Sequence, residues 1–417
     1  MCRTGPAARV TACRFQAASP ATPTQQNRAT APATTRPDRS GRRGCDGRIH
    51  GGSAFTPCDG SDLPPGDGAE YRDAQRKYFH NYGMRIAVIG VGRMGAIHAA
   101  NLRRHADVTS LVVADSDRQR AQEVAHRLDA SAADSVDEVF TSSTEAVVIA
   151  ANTAAHAELI RQAARAGLPM FCEKPVAADL SESIQTVHEV QAEGVTLQIG
   201  LMRRFDAGFQ AGRELVRSGR LGRLHTIRSV GAEPDPPPAT YLSASGGIFW
   251  DALIHDFDLL RWITGREVAE VYACGSDAGP QIFAELGELD TAMALLTMDD
   301  GTLAATTAAR CNGAGYDVRM EVCGDADTIA IGLDRHTPLT SVEPEATFPS
   351  ADPVQSFLER FAPAFEAEID TFLQVARGDL ENPCDGREAV EALRVAEACW
   401  RSQRERRPVR MTEITGF

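Results

Sequence analysis

The segment Arg85-Ile-Ala-Val-Ile-Gly90-Val-Gly92-Arg93-Met94-Gly95 constrains the chain more than any other stretch. A short apolar run of the kind that forms a buried parallel strand leads straight into Gly-x-Gly-x-x-Gly, and a helical stretch follows over about 93–104. In that order the first glycine permits a tight turn, the second lets the backbone approach a pyrophosphate, and the third lets helix and strand pack closely. The helix N-terminus then offers free N–H groups to an anion. The glycine spacing alone is weak, because glycines also punctuate ordinary turns; the strand–motif–helix order gives it weight. Gly90, Gly92, Arg93, Met94 and Gly95 are therefore expected at a dinucleotide. Asp115 ends the second strand 20 residues after Gly95, placed to accept hydrogen bonds from an adenosine ribose and to repel a 2′-phosphate. NAD is the expected cofactor, and Arg118, which could swing toward such a phosphate, keeps NADP open.

Downstream, strands at 108–114, 146–151, 169–172 and 195–199 alternate with helices at 117–128, 154–166 and 180–192. That rhythm predicts an α/β fold with a doubly wound parallel sheet. After about 200 it breaks. A helix at 207–217, a strand at 224–230, a proline-rich loop at 234–238 and a helix at 248–264 precede strand-like runs near 268–274, 291–297, 302–308 and 316–323. This predicts an α+β domain with a large, mainly antiparallel sheet. The expected division is a cofactor domain over 84–202 and a second domain, for substrate binding and assembly, over 203–417. Residues 1–83 read differently: rich in Pro, Gly, Thr, Ala and Arg, without hydrophobic period, and carrying 12 basic against 7 acidic side chains. They are expected to be a disordered or non-native extension with Met84 as the true start, an organelle transit peptide being the lesser alternative.

Composition removes other classes. With 43 Lys+Arg against 57 Asp+Glu, the net charge of −14 opposes general nucleic-acid binding. The longest apolar runs, such as 146–151, fall far short of the ~20 residues a membrane helix needs. Ten cysteines stand without any C-x-x-C, so a reduced, cytoplasmic protein with no metal centre is expected. Only two lysines occur, Lys77 and Lys174, the other basic residues being arginine. A GC-rich codon usage accounts for that bias, yet it directs attention to Lys174, because lysine can lose its proton and arginine cannot.

Lys174 follows a parallel strand in Glu173-Lys174-Pro175, at the strand end where open α/β sheets place ligands. Proline after it holds Lys174 out of helical geometry. An ammonium there can bond a substrate oxygen and stabilise an alkoxide as a hydride leaves. The second constellation is Gly246-Gly-Ile-Phe-Trp-Asp251-Ala-Leu-Ile-His255-Asp-Phe-Asp258. On a helix, Asp251 and His255 are i and i+4 and share a face. Imidazole suits a general base near neutral pH, and a carboxylate one turn away can orient it. A surface ion pair, a metal pair lacking further ligands, and a buried structural histidine are the alternatives to that reading.

Taken together, 84 to about 416 resembles the glucose–fructose oxidoreductase/inositol dehydrogenase (Gfo/Idh/MocA) family. The matching pieces are the fingerprint, Asn152-Thr-Ala-Ala-His156, Glu173-Lys174-Pro175, Gly200-Leu-Met-Arg203-Arg-Phe-Asp206 and the 246–258 stretch. Within it the likeness is to inositol 2-dehydrogenases, through Met202-Arg203-Arg204-Phe205-Asp206, Asp-x-x-x-His, Gly315-Tyr316-Asp317 and Arg360-Phe-Ala-Pro-Ala-Phe365. The resemblance implies a Rossmann domain, a C-terminal α/β domain with a large open sheet, and a homotetramer built through that sheet. It implies catalytic Lys174, Asp251 and His255, with Asn152, Thr153, His156 and Glu173 along the nicotinamide. Arg203 and Tyr316, beside the catalytic three, would touch a polyol. The implied reaction is NAD-dependent oxidation of a secondary ring hydroxyl of a cyclitol, myo-inositol to its 2-keto form. A pyranose dehydrogenase or reductase is the alternative, and a non-catalytic sensor a more remote one. Close relatives often carry Arg-Asp-Pro where this chain has Ala232-Glu233-Pro234, which puts the choice of polyol in doubt.

Overall fold

The computed structural model describes residues 83–346 and 352–417. The extension expected over 1–83 lies outside the described residues, Gly83 apart. Strands β1 (Met84–Ile89), β2 (Val108–Ala114), β3 (Ser131–Ala132), β4 (Ala146–Ile149), β5 (Met170–Glu173) and β6 (Leu197–Gly200) form a parallel sheet in the order β3-β2-β1-β4-β5-β6. β1 lies between β2 and β4, so the connections diverge there and open a crevice at the carboxyl ends, the place for a dinucleotide. The alternation of side chains along β1 explains its burial. Ile86 and Val88 enter one apolar cluster, Ala87 and Ile89 the other, and all four are at most 1% exposed. Burying each larger aliphatic chain is worth about 1.5–3 kcal/mol. The helix expected from 117 starts at Arg118, because the Asp117 side chain caps it by accepting from the Arg120 N–H.

The second sheet comprises β7 (Leu224–Ala232), β8 (Val268–Ser276), β9 (Thr291–Met298), β10 (Leu303–Ala309), β11 (Asp317–Gly324), β12 (Thr328–Ile331) and β13 (Val409–Arg410). Their order is β12-β11-β7-β10-β9-β8-β13; β10 pairs with β7 in parallel and every other pairing is antiparallel. One face packs on the helices Gly386–Glu405 and Ile254–Thr264. The opposite face exposes Tyr272, Met293, Leu295 and Leu303, with Tyr272 opposite Leu295 in the ladder.

Two features depart from the sequence reading. The helix expected over 248–264 is broken into Ile248–Asp251 and Ile254–Thr264. At the break the Leu253 N–H bonds the Ile248 carbonyl, five residues back, so the regular ladder slips before the second helix begins. Beyond 323, where the sequence reading places nothing regular, the helices Ala362–Ala376 and Gly386–Glu405 appear. Ile369, Phe372 and Leu373 on the former bury against the first sheet, Phe372 lying 5.9 Å from the Phe171 ring of β5. Among the described residues no helix is long and apolar enough to cross a membrane.

Candidate active site

The fingerprint glycines do different work. Gly90 has φ +83, and a Cβ there would lie 2.5 Å from the Ala151 backbone. A Cβ on Gly95 would stand 1.8 Å from the Gly90 carbonyl oxygen, so Gly95 is required by helix–strand contact within the protein itself. Gly92 is the opposite case: a Cβ there meets nothing within 4 Å. The space it leaves suits a pyrophosphate approaching the loop, which is how these residues fit the dinucleotide. Arg93 opens the helix Arg93–Arg104 with its guanidinium 4.9 Å over the Phe357 ring, and Met94 packs on the core. Asp115 is nearly enclosed: its carboxylate accepts from the Val91 N–H at 2.8 Å and the Asp117 N–H at 2.9 Å.

Asn152 and Thr153 stand at the mouth of the same crevice, as N-cap and first residue of the helix Thr153–Arg165; Asn152 is exposed. His156 is buried, with Nδ1 2.7 Å from the Pro175 carbonyl and Nε2 3.0 Å from the Ala151 carbonyl. Both ring nitrogens face backbone carbonyls, one of them donating, and the ring braces the turn after Lys174. Glu173 turns toward the helix Arg93–Arg104, its Oε1 2.7 Å from His98 Nε2.

Lys174 projects from the end of β5 to the break at 252–253, where its Nζ donates to Asp251 Oδ1 at 2.9 Å and to the Asp251 carbonyl at 3.0 Å. Burial works against its charge, but Asp251, Tyr241 and Glu173 outweigh that and hold the ammonium above the ordinary lysine range. The Asp251 carboxylate also accepts from the Tyr241 hydroxyl at 2.6 Å and from Arg310 Nη2 at 2.8 Å. Burial opposes ionisation here too; Lys174 and Arg310 prevail and keep the carboxyl well below the usual range. Burial raises the Tyr241 phenol to about 12, so it remains a donor.

The expected hydrogen-bonded pair of Asp251 and His255 is corrected by this geometry. The carboxylate is spent on Lys174, Tyr241 and Arg310, and the helical register that would align the two residues is interrupted between them. His255 is 7% exposed and its Nδ1 is buried without a partner. Burial, reinforced by the Arg203 and Lys174 cations, pushes it well below the ordinary histidine range, against the pull of Asp251. A neutral imidazole therefore sits beside an ammonium at pH 7. Arg203 closes this side: Nη1 donates to Asp256 Oδ2 at 3.0 Å, the guanidinium bonds Tyr316 and lies 5.8 Å over the Phe361 ring, and Tyr316 meets that ring edge-on at 6.4 Å. Asp258, the third acid of the stretch, is turned elsewhere, into a two-pronged pair with Arg204.

Two residues of the cluster, Arg310 and Asp256, escaped the sequence reading of roles. Arg310, 1% exposed, spans from Asp251 to Glu233, whose Oε2 lies 3.4 Å from Nη1. Tyr241 and Asp256 complete the ties. The signal for Asp256 was present, since it adjoins His255; nothing local marks Arg310, which arrives at the end of β10. A further buried group stands behind Glu173. His98, Glu173 and Glu368 bring one ligand-type atom each within 4.8 Å of one another. Glu368 is fully buried with neither oxygen partnered, and burial together with Glu173 pushes its carboxyl well above the usual range. The 2.7 Å contact of His98 and Glu173 is a hydrogen bond.

A parallel sheet of this order with a glycine cradle and an acid closing β2, and a polar cluster in which Lys174 from the end of β5 meets the helices that precede the second sheet, are the build of an NAD-binding oxidoreductase. Comparison with known proteins agrees. Residues 84–201 match the family described as "Oxidoreductase family, NAD-binding Rossmann fold", and 213–411 match "Oxidoreductase family, C-terminal alpha/beta domain". The chain belongs to the Gfo/Idh/MocA oxidoreductase family. Myo-inositol dehydrogenase Hyg17 of Streptomyces leeuwenhoekii is 38% identical over 327 residues, 76% of this chain and 97% of that protein. The crystal structure of a probable dehydrogenase from Thermotoga maritima superposes with a TM-score of 0.75 at 33% identity, covering 80% of this chain and all of that one. Scyllo-inositol dehydrogenase from Lactobacillus casei, solved with NAD(H) and scyllo-inositol bound, gives a TM-score of 0.71 at 26% identity over 79% of this chain and 99% of that one. The protein is an NAD-dependent dehydrogenase.

Proposed function

We propose that the protein oxidises a secondary ring hydroxyl of a cyclitol, myo-inositol to its 2-keto form. One observation carries the reading: Lys174 Nζ bonds Asp251 twice inside the buried cluster that also holds His255, where the neighbouring acids favour the ammonium and burial beside Arg203 and Lys174 favours the neutral imidazole. An ammonium has three N–H donors, and Lys174 spends two of its hydrogen bonds on Asp251. The third is left for a substrate oxygen, which it polarises and then stabilises as an alkoxide. His255 takes the hydroxyl proton, a role its depressed basicity fits because it enters the reaction unprotonated at neutral pH. Bound NAD supplies the hydride acceptor. Asp251 acts through Lys174, fixing the direction of its free N–H, and not through the imidazole. Arg203 and Tyr316, tied together beside His255, would receive neighbouring ring hydroxyls, and their mutual hydrogen bond supports that reading.

In this reading 84–202 holds the cofactor, and 203–417 holds the polyol and builds a homotetramer through the sheet face bearing Tyr272, Met293, Leu295 and Leu303. The buried free thiols Cys172, Cys384 and Cys399 support a reduced, cytoplasmic setting. The test is reduced-nicotinamide absorbance with NAD and myo-, scyllo- and chiro-inositol, glucose and xylose. A preference for myo-inositol is expected, with turnover falling about 10²–10⁴-fold in Lys174→Ala or His255→Ala while NAD still binds. Normal turnover in either variant refutes the assignment; activity confined to a pyranose moves specificity to Ala232-Glu233-Pro234.

A further inference from the structure

Behind Lys174, three elements press polar side chains into one buried spot. Glu173 ends β5, His98 comes from the helix Arg93–Arg104 and Glu368 from the helix Ala362–Ala376. His98 and Glu368 are 0% exposed. One atom of each residue lies within 4.8 Å of the others, and the rings of Phe171 and Phe365 stand edge-on to His98. Glu173 is confined there: a Cβ on Gly200, the last residue of β6, would lie 3.1 Å from its Oε2. Its Oε1 faces His98 Nε2 at 2.7 Å, and a nitrogen facing a carboxylate is the one that carries the N–H.

Glu368 is the member this leaves unexplained. Both its side-chain oxygens are buried without a hydrogen-bond partner, although its backbone carbonyl accepts from Gln198 Nε2 at 3.1 Å. Among the described residues no cation faces it. On its own helix Glu366 and Asp370 are exposed and lie by Arg104 and His105. Of the residues 202–205 packed on that helix, Arg203 is held by Asp256, and Arg204 by Asp258 and Glu388. Burial keeps the nearby Cys384 a neutral thiol. A carboxylate in this place would have lost its hydration with nothing in return. A neutral carboxyl group is instead an O–H donor, with Glu173 as the acceptor beside it. Burial and the Glu173 charge both hold the Glu368 carboxyl well above the usual range, and no cation opposes them.

We propose that Glu368 is a positioning residue: as a neutral acid it donates a hydrogen bond to Glu173 and, with His98, holds the end of β5 from which Lys174 projects. The two carboxyls then carry one proton and one negative charge between them. That single charge stands beside Lys174, where it favours the ammonium. A second charge, on Glu368, would repel Glu173 from its place on His98 and loosen the strand end. The role toward Lys174 rests on the reaction proposed above; the shared proton does not, and the experiment reads them separately.

The test compares the full-length protein with Glu368→Gln and Glu368→Leu. Urea unfolding between about pH 5 and 8 needs no substrate. The folded protein keeps a proton that the unfolded chain loses above the ordinary glutamate value of about 4.3. Relative to Glu368→Gln, the wild type should therefore lose about tenfold in its folding equilibrium constant per pH unit. An infrared carbonyl band of a neutral carboxylic acid at pH 7, absent from Glu368→Gln, is the matching signature. Turnover is then measured with NAD and the polyol that the panel identifies. Glu368→Gln, whose amide still donates to Glu173, should stay close to wild type. Glu368→Leu should lose about tenfold or more in kcat, with KM for NAD changed far less. A stability ratio of wild type to Glu368→Gln that is flat with pH overturns the shared proton. So does a divalent metal ion that copurifies with the protein and is removed by a chelator. A Glu368→Gln variant that loses kcat as Glu368→Leu does, or by about tenfold where Glu368→Leu does not fold, overturns the positioning role.

Discussion

Arg310→Met tests the charge balance on which the cluster depends. The guanidinium is 1% exposed and gives one arm to Asp251 at 2.8 Å and the other to Glu233 at 3.4 Å. Methionine fills much of the same volume without charge, leaving Asp251 with Lys174 as its only cation and Glu233 with none at contact. Breaking a buried pair by removing one partner costs about 3–5 kcal/mol, because the other charge stays behind in low dielectric. At about 2–4 °C per kcal/mol for a domain of this size, the melting temperature should fall by roughly 10 °C at pH 7. The pH dependence separates charge from packing. The Asp251 carboxyl is held below its ordinary value, so its contribution is complete above the unfolded value of about 3.9 and disappears as pH falls through the folded one. In the variant the depression is smaller. The gap between wild type and variant should therefore be full above about pH 5 and narrow as the solution is made more acid. Differential scanning fluorimetry across about pH 2–8 reads it, with Arg310→Lys expected between the two because its single ammonium cannot span both acids. An unchanged melting temperature, or a gap constant across the acid range, refutes the reasoning.

Three further outcomes follow from the same geometry. Gly92→Ala should keep the wild-type melting temperature and lose at least about tenfold in NADH affinity, whereas Gly95→Ala should unfold at lower temperature, because only its Cβ collides within the protein. The acid limb of kcat/KM with NAD should lie well below the ordinary histidine value of about 6.5, since a base with depressed pKa stays unprotonated until pH falls through that lower value; an acid limb at or above 6.5 contradicts His255 as the base. Leu295→Arg, on the exposed sheet face, should reduce the particle mass seen by light scattering without changing NADH binding; an unchanged mass argues against assembly through that face.

How far the sequence reached is set by the range of the forces involved. The first sheet was legible because each element answers to local rules: apolar runs of strand length, a glycine fingerprint, a capping aspartate, and helices between. Lys174 was legible because its position at a strand end and its rarity coincide. What the sequence could not show is where Asp251 spends its carboxylate. Read as helix, 251 and 255 are one turn apart, and a bond between them is the local expectation. The structure interrupts that helix, and the pull comes from elsewhere: Lys174 from the end of β5, Tyr241 from the short helix Ala239–Leu242, Arg310 from the end of β10. Three donors converging on one buried carboxylate from distant parts of the chain leave no periodic signature. The functional consequence is a division of labour that local spacing misassigns. A carboxylate tied to the imidazole would raise its basicity; tied to the ammonium, it fixes the donor and leaves His255 neutral between two cations. In the proposed reaction Lys174 then enters charged and His255 uncharged, the pair of states that removal of a hydroxyl proton requires.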